Sequence, residues 1–296
     1  MDGTGVPIAT PFDDSGAVRY DDLAALAERL VDAGADFLVP CGSTGEVALC
    51  SPAERDSIVE TVADAVDVPI LAGTGTPGTE TTVRATDRAA TAGADAALVV
   101  TPYYHDHGVD ALAAHYRTVA EESPIPVYLY SVPKYTGVTL DPETVAGLAT
   151  HDGIAGMKDS SGRLELIQRY RAATEGETFS LLVGSGSVYA AGLDCGADGG
   201  ILAVANVLPR AASRIYRDHE AGRDARARAR NRELVELNHA VTARDGVPGL
   251  KAAMASRDLP GGEPRPPFEP VDEDRRRELS ALVDRTRRGL SALEGE

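Results

Sequence analysis

Lysine is nearly missing from this chain. Of its 29 basic residues only three are lysines, Lys134, Lys158 and Lys251, and the others are arginines. Tryptophan is absent and aromatic residues make up 5%. Positive surface is short as well: 46 acidic against 29 basic residues leave a formal charge of −17, which repels nucleic-acid phosphates and argues against a nucleic-acid partner. The basic run RDARARARNRE at 223–233 is interspersed with alanine, as in a solvated helix face. No run of about 18 apolar residues occurs, so no membrane span is expected. The opening MDGTGVPIATPF has no basic region followed by an apolar stretch, so it does not read as a signal peptide, and a cytoplasmic protein is expected. Cys41, Cys50 and Cys195 have no metal-ligand spacing, and their odd number argues against a disulfide framework. Cys41 reads as a small buried hydrophobe. Acidic excess, scarce lysine and few aromatics together suggest adaptation to high salt.

What is present is a regular alternation. Short apolar runs rich in Val, Ile and Leu predict strands at 6–9, 37–41, 69–73, 96–100, 126–130, 154–158, 181–184 and 200–204. Continuous apolar runs fit parallel strands buried on both faces. Between them lie helical patterns at 20–33, 53–65, 81–92, 109–122, 142–150, 164–174 and 187–195; the first puts Leu23, Leu26, Ala27 and Leu30 on one face. AGAD at 33–36 and 92–95, and CGAD at 195–198, each read as a glycine helix stop leading into a strand. Eight strand–helix units predict an α/β fold, a (β/α)8 TIM barrel. A doubly wound open sheet is the alternative, disfavoured because no GxGxxG follows the first strand. Residues 1–208 are assigned to the barrel. Residues 209–296, with helices predicted at 209–220, 225–242 and 273–293, form a C-terminal helical extension packed on it, and LPGGEPRPPFEP at 259–270 links the last helices.

In such barrels chemistry gathers at the C-terminal strand ends. There stand Gly42-Ser43-Thr44-Gly45-Glu46, Thr101-Pro102-Tyr103-Tyr104, Tyr130-Ser131-Val132-Pro133, Lys158-Asp159-Ser160, Gly184-Ser185-Gly186 and Ala205-Asn206-Val207. Lys158 ends an apolar strand in a protein that otherwise uses arginine. Arginine could not replace it if the amine must shed its proton, because guanidinium stays charged. A desolvated lysine can become a nucleophile toward a carbonyl. The structural alternative packs its stem and leaves its head in solvent or paired with Asp159. Ser43 and Thr44 offer donors for a carboxylate beside exposed backbone N–H groups, or else begin a helix as Ser/Thr-then-Glu caps do. Tyr130 could pass protons beside Lys158, or be a core tyrosine. His105-Asp106-His107 looks metal-like but has no third ligand nearby in sequence, so no metal is assigned.

GSTGE, TPYY, YSVP, GMKDSSG and ANV, in this order and spacing, resemble the dihydrodipicolinate synthase/N-acetylneuraminate lyase superfamily of class I pyruvate-dependent aldolases, from Pro7 to about Met254. The resemblance implies an imine on Lys158 with pyruvate or another 2-keto acid and no separate cofactor. It implies Tyr130 as proton shuttle, and Ser43 and Thr44 as carboxylate binders and proton relays. Tyr104 would reach into a neighbouring subunit's site, within a homotetramer built from dimers. Synthases making dihydrodipicolinate typically read YNVPxRTG, whose arginine receives the aldehyde's carboxylate. Here Tyr135 takes that place, and a phenol does not readily replace a bidentate arginine. Lys134 neighbours it but, in an extended loop, would point the other way. The stretches at 123–133, 201–209 and 240–254 resemble 4-hydroxy-2-oxoglutarate aldolases more, which implies Ser160, Gly184 and Ile201 as further pocket residues. The expected activity is cleavage of 4-hydroxy-2-oxoglutarate or a 2-keto-3-deoxy sugar acid to pyruvate and an aldehyde. The rivals are a dihydrodipicolinate synthase running the same chemistry toward condensation, a metal-dependent enzyme using His105 and His107, and a non-catalytic keto-acid binder.

Overall fold

The structure is a computed structural model, and it describes residues 1–294. The apolar runs become eight parallel strands: β1 (Gly3–Val6), β2 (Phe37–Leu38), β3 (Leu71–Gly73), β4 (Ala96–Val100), β5 (Val127–Ser131), β6 (Ile154–Asp159), β7 (Ser180–Val183) and β8 (Gly199–Ile201). They pair in the order β2-β1-β8-β7-β6-β5-β4-β3. A parallel bridge between Leu38 and Ile70 joins the two ends of that order, with Leu38 N–H donating to Pro69 O at 3.0 Å. The fold is a (β/α)8 barrel. Among the described residues no helix is long and apolar enough to cross a membrane.

The barrel helices are α1 (Tyr20–Asp32), α2 (Pro52–Ala65), α3 (Thr79–Thr91), α4 (Val109–Glu122), a single turn α5 (Pro133–Thr136), α6 (Pro142–Ala149), α7 (Leu164–Ala173) and α8 (Tyr189–Asp194). Strand residues pointing out, such as Val99, Leu129, Met157 and Leu181, pack against the helices. Those pointing in, among them Leu71, Leu98, Tyr128, Leu182 and Ile201, fill the barrel. The repeated GAD phrases have a double use. Gly34, Gly93 and Gly196 take φ of 99°, 97° and 91°, the left-handed conformation that ends a helix and suits glycine. The aspartate two residues later accepts from a strand N–H: Asp36 from Thr4 at 2.7 Å, Asp95 from Ile70 at 2.8 Å, Asp198 from Leu181 at 2.7 Å.

The first strand lies earlier than the apolar pattern predicts, at Gly3–Val6 rather than 6–9. Pro7 has no N–H for the ladder. Asn206 takes over there, accepting from Ala9 N–H at 3.0 Å and donating to Pro7 O at 2.8 Å. After β8 come α9 (Pro209–Glu220), α10 (Asp224–His239), α11 (Gly246–Ala255) and α12 (Glu273–Ala292). The expected helix to residue 242 stops at His239, and Ala240–Arg244 forms a π-turn leading into α11, which periodicity had not indicated. The segment 259–270 joins α11 to α12 and is anchored by Arg265, which donates to Gly16 O, Leu49 O and the Glu54 carboxylate. The last two residues, 295 and 296, lie outside the described residues.

Candidate active site

Lys158 faces the barrel interior because β6 is irregular. Val127 pairs with Ile154, but Tyr128 pairs with Gly156, so Ala155 is an extra residue on β6. Side chains alternate along a strand, so with Ile154 outward a regular strand would turn Lys158 outward too. The bulge resets the alternation. Met157 packs outward and Lys158 lies inward, in register with Tyr130 on one side and Leu182 on the other. Gly156 permits this: a Cβ there would come within 2.4 Å of Ser180 O and 2.5 Å of the Tyr128 ring.

The Lys158 Nζ sits 4.4 Å from the centroid of the Tyr130 ring. Both residues are 6% exposed. Among the described residues Lys158 has no carboxylate partner. Asp159 points away from it and accepts from Ser161 Oγ at 2.6 Å, and burial raises its carboxyl above the usual range. The pairing of Lys158 with Asp159 considered from sequence is therefore absent.

Ser43 and Thr44 open a 3-10 turn, Ser43–Gly45, ahead of its first bond from Gly45 N–H to Gly42 O at 3.0 Å. They do not cap α2. That helix carries its own capping box, with Ser51 and Glu54 bonded reciprocally. Glu46 serves another purpose. It is 2% exposed, adopts φ 57°, and pairs with Lys251 Nζ at 2.6 Å. Lys251 also donates to Thr10 O at 2.8 Å and Glu263 O at 2.9 Å. Burial pushes the Lys251 amine below the ordinary lysine range against the pull of Glu46. A second lysine of the three is thus a buried brace under the hydroxyl turn.

A cavity of about 230 Å³ opens at the C-terminal strand ends, where Lys158, Tyr130, Ser43, Thr44, Ser160, Gly184 and Ile201 converge. Glycine at 184 leaves Ser160 its place, since a Cβ would lie 1.9 Å from its Oγ, 2.9 Å from its Cβ and 3.0 Å from Asp159 O. Tyr104 is not part of its own chain's pocket: it is 89% exposed, with φ 83°. His105 and His107 are exposed on the same loop, away from the cavity. Among the described residues the one group with metal-like spacing is Asp194, His219 and Asp224, which also lies outside it.

Two features were missed from sequence. Pro133–Thr136 is a helical turn and not an extended loop, so Lys134 and Tyr135 both line the cavity, and Lys134 Nζ donates to Thr242 O at 2.9 Å. The C-terminal extension, read as packing only, supplies one wall through Asn238, Val241, Thr242, Val247 and Leu250. The π-turn carries Val241 and Thr242 inward, a use to which such insertions are often put. The buried Asn238 Oδ1 has no hydrogen-bond partner among the described residues. The sequence traces of this wall were the resemblance of 240–254 to the aldolases and the GVP break at 246–248 in an otherwise helical stretch.

A barrel that brings an unpaired amine, a phenol and a turn of hydroxyls to one cavity at its catalytic face defines an enzyme of carbonyl chemistry. Comparison with known proteins narrows the class. The dihydrodipicolinate synthetase family model matches residues 1–286, and the chain belongs to that family. It is accordingly a carbon–carbon lyase of the imine-forming type. It is 39% identical over 283 residues to a DapA-like lyase of uncharacterised function from Halobacterium salinarum, covering 95% of this chain and 92% of that one. It is 38% identical to the 4-hydroxy-tetrahydrodipicolinate synthase of Methanothrix thermoacetophila, covering 98% and 97%. The structure of YagE, a prophage protein of the dihydrodipicolinic acid synthase family from E. coli K12 in complex with pyruvate, superposes with a TM-score of 0.92 at 29% identity, covering 97% and 99%.

Proposed function

We propose that this enzyme cleaves a 4-hydroxy-2-oxo acid, a 2-keto-3-deoxy sugar acid or 4-hydroxy-2-oxoglutarate, to pyruvate and an aldehyde through an imine on Lys158. The observation that carries the reading is a buried amine without a carboxylate partner among the described residues, level with Tyr130. The Lys158 Nζ attacks the C2 carbonyl carbon, and loss of water gives the protonated imine. Tyr130 removes the C4 hydroxyl proton. The C3–C4 bond breaks, its electrons flow into the imine to give an enamine, and the aldehyde departs. Protonation of the enamine at C3 and hydrolysis release pyruvate and the free amine. Ser43 and Thr44 hold the C1 carboxylate and fix the reacting carbon, and such orientation accounts for much of the advantage over a free amine. No metal or separate cofactor takes part.

One observation bears on the aldehyde half of the substrate. Among the described residues no arginine lines the cavity, which favours the sugar acid, whose distal end is hydroxylated, over 4-hydroxy-2-oxoglutarate and aspartate semialdehyde, which each bring a second carboxylate. Synthesis of 4-hydroxy-tetrahydrodipicolinate is the second reading. It draws on the name of the Methanothrix relative and on Lys134, a cation at the cavity rim that could meet the aldehyde's carboxylate. Tyr104, exposed and in a strained backbone conformation, fits a part in a partner subunit's pocket within a dimer-of-dimers tetramer. Because the wall at 238–250 completes the pocket, we take residues 1–208 and 209–296 to act as one catalytic unit.

Borohydride reduction in the presence of pyruvate, followed by peptide mapping, tests the imine. The adduct is expected on Lys158, and an adduct on Lys134 or Lys251 instead overturns the assignment. Pyruvate release from both hydroxy-oxo acids, measured beside condensation with aspartate semialdehyde at one high salt concentration, decides the substrate.

A further inference from the structure

A second cavity, of about 520 Å³, lies between α1, the start of α9 and the end of α12. Arg29, Arg210, Arg214, Arg230, Arg257 and Arg287 line it, against the two acidic side chains of Asp32 and Glu294. This is the reverse of the chain's overall charge of −17. Elsewhere Arg223, just before α10, meets Asp218 at 2.8 Å, and Arg228 on α10 meets Asp194 at 2.9 Å. In the cavity, Arg230 has Asp218 at 2.7 Å, and Arg214 meets the Glu294 carboxylate, which also lies 3.5 Å from Arg230. Arg29, Arg210 and Arg257 make no ion pair among the described residues, and Arg287 has only Asp284 at 3.7 Å.

Three of these form a group of like charge. Arg257 is half-buried and donates to Val207 O at 3.4 Å, while Arg29 donates to Asp258 O at 3.3 Å. Burial, then the charges of Arg287 and Arg29, push the Arg257 guanidinium below its ordinary range. Clustered like charge offset, among the described residues, only by Asp284 is unfavourable, and an anion would relieve it. The seat of Glu294 between Arg214 and Arg230 shows that the cavity already holds one oxyanion, from the chain itself. Guanidinium forks match the oxygens of carboxylate and phosphate, and a phosphoryl dianion offsets more charge than a chloride or a single carboxylate.

We infer that this cavity is a binding site for a phosphoryl group, held by Arg29, Arg257 and Arg287, with Arg210 on the first turn of α9 at its edge. Its volume leaves room for the organic part of a phosphate ester. The inference is independent of the imine chemistry.

The test is calorimetric titration of the full chain at one ionic strength set with potassium chloride, using inorganic phosphate, ribose 5-phosphate and citrate. We expect saturable binding of one phosphate or sugar phosphate per chain. In Arg257→Gln and in Arg287→Gln it should weaken about tenfold or more, the scale of a lost charge-assisted hydrogen bond. Arg84→Gln, on the exposed face of α3, should bind as the parent does, and Glu294→Gln should bind more tightly. Stronger binding of the sugar phosphate identifies an ester as the ligand, and equal binding identifies free phosphate as sufficient. Retained pyruvate trapping at Lys158 verifies the fold of each variant, and Arg287, held by one long ion pair, is the variant least exposed to misfolding. Binding of citrate alone, no saturable binding of either phosphate, or parental affinity in both arginine variants would overturn the proposal.

Discussion

Lys158 stands level with Tyr130 because β6 carries one residue more than β5. Pairing runs Val127 with Ile154, then Tyr128 with Gly156, and reaches Tyr130 opposite Lys158. Were Ala155 paired with Tyr128 in a regular strand, Tyr130 would face Met157, and the amine would turn toward the helices. The irregularity that spoils an ideal strand therefore aims the nucleophile.

Deletion of Ala155 joins Ile154 directly to Gly156 and leaves Lys158 opposite Tyr130, so pyruvate trapping is expected to persist in the deletion variant. Deletion of Met157 instead brings Lys158 opposite Leu129, facing the helices, and should abolish it. Loss of trapping in a folded Ala155 deletion, or trapping at the parental rate in a folded Met157 deletion, would show that strand register does not aim Lys158. Gly156→Ala tests the packing that the bulge requires. Its methyl group meets Ser180 O and the Tyr128 ring, and a loss of about 1–3 kcal/mol, the scale of overpacking, should appear as a lower midpoint in denaturant.

Lys158→Arg should leave the fold intact and turnover undetectable, since a permanent guanidinium cation cannot attack a carbonyl. Measurable pyruvate release from this variant, with no contaminating wild-type enzyme, would remove the imine mechanism.

Tyr130→Phe should lower kcat roughly 100-fold or more, as loss of a general acid–base group does, with a much smaller change in keto-acid binding. The ring that packs beside the Lys158 amine remains, so only proton transfer is lost. A nearly unchanged rate would leave Tyr130 a structural residue.

Glu46 and Lys251 form a pair that is almost wholly buried. Lys251→Met strands a carboxylate and should cost about 3–5 kcal/mol. The double variant Glu46→Gln/Lys251→Met should recover much of that loss in stability. Because Glu46 follows directly on Ser43–Gly45, KM for the keto acid should remain raised in the double variant. A double variant no more stable than the single one would show that the charges were not coupled.

Tyr135 and Lys134 decide the second substrate. Tyr135→Arg should raise condensation with aspartate semialdehyde at least tenfold in kcat/KM, about 1.4 kcal/mol, by adding a fork for its carboxylate. If the parent already condenses efficiently and Lys134→Ala ends it, then Lys134 is the cation and synthesis is the activity.

Much of the architecture was legible in the residues. Apolar runs without alternation marked most strands within one or two positions, and the GAD phrases marked helix ends, because glycine alone tolerates the left-handed stop at low cost. The first strand was misplaced because Val6–Ala9 is as apolar as a strand, yet Pro7 cannot join the ladder. Ser43, Thr44, Tyr130, Lys158, Ser160 and Gly184 could be named because motif and strand-end position coincide for each, and Ile201 through the resemblance alone. Asn238, Thr242 and Leu250 could not, because a helix pattern does not say which wall it will complete.

The sequence by itself determined the alternation of strands and helices, the rarity that makes Lys158 conspicuous, and the motifs of the family. These depend on local periodicity and residue chemistry. Only the tertiary structure decided which way the amine points, that Lys251 is a buried brace rather than a rival nucleophile, that Lys134 and the π-turn reach the cavity, and that six arginines share a second one. Each of these depends on register or on residues far apart along the chain, and a single added residue in one strand reverses the face on which all that follow it lie.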